Sequence, residues 1–94
     1  MHFLVIAHDG TDEDALDRRM AAREEHLTVA RGLHESGVLA VGGAILGETG
    51  AMVGSAMVIE AESEERLREL LEADPYRRGG AWQRFEIWPF RRAF

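Results

Sequence analysis

The chain has no cysteine and no lysine, a single tyrosine, two prolines, and no apolar run of membrane-spanning length. Without cysteine there can be no disulfide, thiolate nucleophile, CxxC redox pair or cysteine zinc site. Without lysine, Schiff-base chemistry and a lysine general base are excluded; all 11 basic residues are arginine. Seventeen acidic residues outnumber them, for a formal net charge of −6. That balance opposes phosphate neutralisation, so no nucleic-acid partner is expected. A spanning helix needs about 18 or more consecutive apolar residues, and the start shows no charged segment leading into a short apolar one. No membrane partner is expected, and the expected location is cytoplasmic. What is present is 94 residues, 46% hydrophobic and 30% charged, the composition of a folded globule. No repeat or linker interrupts them, so residues 1–94 read as one domain.

Residues Met1 to Ala7 are apolar and partly β-branched, as in a strand buried on both faces. Asp9-Gly10 breaks the run, and Thr11 with Asp14 resembles a capping box opening a long helix. Leu16, Met20, Arg23, Leu27, Ala30 and His34 recur at helical spacing along it, and Gly37 ends it. Val38 to Leu46, with Gly42-Gly43 inside, and Met52 to Ile59 read as a hairpin. Ser63, Glu64 and Glu65 start a second helix on Leu67, Leu70 and Leu71, which Asp74-Pro75 stops. Asp74 can also cap a short turn with Pro75 at its first position. Trp82 to Pro89 alternates as a last strand, with Trp82, Arg84, Glu86 and Trp88 expected on one face and Phe85 and Ile87 on the other. The order βαββαβ predicts an α+β, ferredoxin-like fold: a four-stranded antiparallel sheet with two helices on one face. The other face needs cover, and face-to-face homodimerisation is the expected solution.

Few residues offer chemistry. Arg23 and His26 are neighbours on the first helix, and Asp74 stands where the second helix stops. His26 lies ten residues from the end of the first helix and Asp74 eleven from the start of the second. Both helix termini meet one sheet edge, so at about 1.5 Å per residue the two stand roughly 15–17 Å above it. Ser55, five residues before its strand finishes near residue 60, reaches roughly the same height. Two arrangements remain open. Asp74 pairs with His26 across a cleft, or it caps its own following amides while His26 faces solvent. His2, His8 and His34 form no HxxxH or HExxH pattern, so no metal is expected. The glycines do not compose a dinucleotide fingerprint, and no cofactor is expected. Ser55 lacks the signature of a nucleophile elbow.

Arg23-x-x-His26-Leu27, Gly43, Gly54-Ser55 and Asp74-Pro75-Tyr76 together resemble the YciI-like (YCII-related) family. The resemblance implies a ferredoxin-like protomer pairing into a dimeric α+β barrel. It implies an active-site cleft with a His–Asp pair, at His26 and Asp74. Arg23, Ser55, Gly43 and Tyr76 are then expected to bind substrate. Many relatives carry Gly-Pro where this chain has Gly43-Ala44. A histidine oriented by a carboxylate suits general acid/base work, and an arginine beside it suits an anion. The expected activity is cofactor-independent lyase or isomerase chemistry on a small organic acid. A non-catalytic ligand-binding or interaction module is the alternative, and by fold analogy alone a cofactor-free oxygenase is a third.

Overall fold

A computed structural model describes all of residues 1–94. Its elements are β1 (His2–Asp9), α1 (Ala15–Glu35), β2 (Leu39–Leu46), β3 (Met52–Glu60), α2 (Glu64–Ala73), α3 (Pro75–Arg78) and β4 (Trp82–Phe90). The strands form one antiparallel sheet in the order β2-β3-β1-β4, the ferredoxin-like arrangement the element order predicts. Ser63 caps α2 by accepting from the Arg66 amide, and Asp74 caps α3 by accepting from the Tyr76 amide. The capping box at Thr11 does not form: Asp14 occupies the cap position of α1 without a side-chain bond.

Along β1 the odd residues Phe3, Val5, Ala7 and Asp9 are buried and the even ones partly exposed. Strand period 2 sends the buried set beneath the helices, where it meets Met57 and Ile59 of β3 and Leu67 and Leu71 of α2. The other sheet face carries Leu4, Ile6, Ala56 and Val58, with Val41 (61% exposed) and Trp88 (57% exposed) beside them.

Two further sequence expectations fail. Trp82 does not share a face with Arg84, Glu86 and Trp88. The β1–β4 register slips between His8 and Asp9, so Ala7 faces Phe85, His8 faces Arg84, and Asp9 faces Trp82. The extra residue, Gln83, turns Trp82 under the helices, where it is 1% exposed. The inward face of α1 is also displaced by about one residue from the apolar stripe. Ala15 and Arg19 are buried and Ala22, His26, Ala30 and Leu33 half-buried, whereas Leu16, Met20 and Leu27 are exposed. Of the alanines, Ala22 packs toward the end of α3, where a Cβ built on Gly79 would lie 3.3 Å from its own.

Candidate active site

Two charged side chains from opposite ends of the Asp9–Arg19 connection meet in the core. Arg19 Nη1 donates to both carboxylate oxygens of Asp9, at 3.0 and 3.1 Å. Its Nη2 donates to Ser55 Oγ at 3.0 Å, and Trp82 Nε1 donates to the same oxygen at 3.1 Å. The Arg19 and Asp9 side chains are 3% and 2% exposed. A charge so buried needs a partner, because desolvation otherwise costs several kcal/mol, about 3–5 when one member is removed. Only Arg19 Nε lacks a partner.

Next to this network stands His26. Its Nδ1 lies 2.7 Å from Asp74 Oδ1, and the two side chains are 12% and 9% exposed. Asp74 Oδ1 also accepts from the Tyr76 amide at 2.8 Å. One oxygen thus serves the helix cap and the imidazole together, so the cap forms without His26 turning to solvent. With Nδ1 against a carboxylate, that nitrogen carries the proton and Nε2 is the free one. Tyr76 stacks on the imidazole with centroids 3.8 Å apart and planes inclined by 14°. The Trp82 ring meets both edge-on, at 5.4 Å from His26 and 5.5 Å from Tyr76. Burial pushes the Tyr76 phenol above its ordinary value of 10.0, opposed by the Arg19 and Arg23 charges and assisted by Asp9 and Asp74.

Arg23, half-buried on α1, makes no hydrogen bond or ion pair with the protein, yet its charge reaches the Tyr76 phenol. The local assembly therefore presents an imidazole nitrogen free of protein partners, an unpaired guanidinium and a phenol that donates to no protein group. No group of three or more histidine or acidic side chains is gathered as a metal would require. No helix is long and apolar enough to cross a membrane.

A family model described as YCII-related domain matches residues 1–91. The chain belongs to the YCII-related family. Protein YciI of an Escherichia coli O6:H1 strain is 30% identical over 100 residues, with both chains covered completely. Fusaric acid biosynthesis protein 2 of Gibberella moniliformis is 33% identical over 97 residues, covering 95% of this chain and 91% of that protein. Among solved structures, the 5-chloro-2-hydroxyhydroquinone dehydrochlorinase of Burkholderia phenoliruptrix, in complex with 2,5-dihydroxybenzoquinone, superposes with a TM-score of 0.83. It is 26% identical, with 97% of this chain and 94% of that one covered.

Of the residues singled out in the sequence of this YCII-related domain, His26, Asp74 and Tyr76 are brought into contact. Arg23 flanks them. Ser55 lies in the adjoining Arg19–Trp82 network, bonded to those two side chains rather than to His26. Gly43 is not brought to the cluster. It pairs with Ala56 while its neighbour Ala44 pairs with Ser55, which places Gly43 on the opposite sheet face. Sequence reasoning missed Asp9, Arg19 and Trp82. Two signals were available: Asp9 continues the odd-numbered alternation of β1, and Arg19 precedes His26 by seven residues, two turns on one helix face.

Proposed function

We propose that this chain is a cofactor-independent acid/base enzyme of the lyase or isomerase class, acting on a small anionic organic molecule. The observation that carries the reading is the 2.7 Å contact between His26 Nδ1 and Asp74 Oδ1, which leaves Nε2 as the nitrogen to exchange a proton. The neutral imidazole takes a proton from substrate at Nε2, and the charged ring is then held by the Asp74 carboxylate. An electron pair released in that step either moves within the substrate or expels a leaving group. In the first case the imidazolium returns its proton to a different atom, giving an isomer. In the second, elimination, the ring then passes its proton to the departing group or to water. Arg23 supplies a cation for the substrate's anionic oxygen. The likeness to a dehydrochlorinase bound to a hydroxylated quinone supports elimination from a hydroxylated ring. We further propose that the working unit is a homodimer closed through the sheet face bearing Val41 and Trp88, both more than half exposed in the protomer.

The test is a panel of hydroxylated and halogenated ring compounds and small organic acids, followed by product and halide release. The wild-type chain is expected to turn over at least one member. His26→Ala should lower kcat about 10²–10⁴-fold with KM changed only a few-fold. No turnover across the panel, together with ligand binding that His26→Ala abolishes, would establish the binding module instead.

A further inference from the structure

The imidazole needs more than a hydrogen bond to hold its plane, because rotation about that single contact stays open. The structure supplies the second constraint. Arg19 and His26 are seven residues apart on one face of α1, about 10 Å along the axis. The same ring lies against both of them. Tyr76 is stacked on the imidazole at 3.8 Å, and the Arg19 guanidinium carbon lies 4.5 Å over its centroid. Both groups cannot occupy one face of a phenol ring at those distances without overlapping. Tyr76 is therefore sandwiched, with the guanidinium on one face and the imidazole on the other.

Arg19 is itself immobilised, by Asp9 through Nη1 and by Ser55 through Nη2. A buried ion pair of this kind is seldom retained for stability, since well-packed apolar residues do as well or better. What it does provide is a flat cation fixed against an aromatic face, an attractive arrangement when desolvated. We infer that Asp9 and Arg19 are positioning residues, which clamp Tyr76 from behind and so fix the plane of the His26 ring. This rests on the reading of His26 as the proton-transfer group only for its catalytic consequence.

The experiment needs no substrate, so its failure and the failure of the proposed chemistry are separate results. In the full chain, proton and nitrogen NMR of the histidine rings is recorded for wild type, Tyr76→Phe, Arg19→Lys and the double variant Asp9→Leu/Arg19→Met. His26 is assigned by its absence in His26→Gln. Stacking on Tyr76 should place the His26 ring protons upfield of those of His2, His8 and His34, with one tautomer protonated at Nδ1. Tyr76→Phe keeps the aromatic face and should preserve both signatures. The double variant removes the buried charges as a pair; its folding is checked by cooperative urea unfolding. It should lose the upfield displacement and the single tautomer. Arg19→Lys keeps a cation for Asp9 but no planar face; it should shift the same signals in the same direction, and it carries the test if the double variant does not fold. An undisturbed His26 ring in either folded Arg19 variant would overturn the inference.

Discussion

A methyl group added at Gly54 should unsettle the sheet, whereas the same change at Gly43 should not. A Cβ built on Gly54 would sit 2.5 Å from the Ala7 carbonyl oxygen on the neighbouring strand, whereas nothing lies within 4 Å of one built on Gly43. The Gly54 obstacle is backbone, so no rotamer change relieves it. Real Cβ contacts stay beyond 3.0 Å, and β1 and β3 would have to part by about half an ångström, weakening ladder bonds worth about 0.5–1.5 kcal/mol each. Overpacking of this kind costs about 1–3 kcal/mol, or roughly 4–8 °C in Tm per kcal/mol for a domain of this size. Gly43→Ala meets no obstacle and removes backbone freedom from the unfolded chain, for a gain of up to about 1 kcal/mol. Urea unfolding followed by the fluorescence of Trp82 and Trp88 measures both. Repeating it over a concentration series separates folding from association, since Gly43 faces the surface proposed to pair. A Gly54→Ala protein within about 0.5 kcal/mol of wild type would refute the argument, as would equal losses from the two substitutions.

Arg19→Met alone strands the buried Asp9 carboxylate and should cost about 3–5 kcal/mol, most of which the added Asp9→Leu change recovers; denaturant titration of the single and double variants checks this. Asp74→Asn retains an acceptor for the Tyr76 amide but loses the charge that holds an imidazolium. Stability should change by less than about 1 kcal/mol while turnover falls about 10²-fold or more, measured by paired unfolding and activity assays. Tyr76 is the only tyrosine, so absorbance at 295 nm reports it alone. Its midpoint should lie above 10.0 because burial raises it; as the unfolded phenol ionises first, stability falls as pH rises through and above 10. At the other extreme, the bidentate Arg18 contact holds the Asp12 carboxyl down at about 2. Whatever that pair adds is present above the ordinary value of 3.8 and lost as pH falls toward 2, which a carbon-detected carboxyl titration would follow.

Element order and boundaries were legible because strand and helix repeat at 2.0 and 3.6 residues, and apolar side chains print those periods directly. The caps at Ser63 and Asp74 and the Pro75 turn were legible for the same local reason: each rests on bonds within a few residues. The match in height of His26 and Asp74 followed from counting rises along two helices anchored to one sheet edge. The side-chain environment did not follow. Whether Asp74 would cap α3 or hold the imidazole could not be read locally, and one oxygen does both. Apolar content pointed to Leu16, Met20 and Leu27 as the inner stripe of α1, but these are exposed and the face carrying Ala15, Arg19, Ala22 and His26 is turned inward. That rotation of one residue is what carries Arg19 inward. A single extra residue opposite Asp9 turned Trp82 from the open face to the core, because a period-2 pattern reverses whenever one residue is added. Sequence by itself determined the elements, the fold and the residue types available for chemistry. Tertiary structure decided which faces meet, and so assembled the Asp9–Arg19–Tyr76–His26 stack from residues as far apart in the chain as 9 and 76.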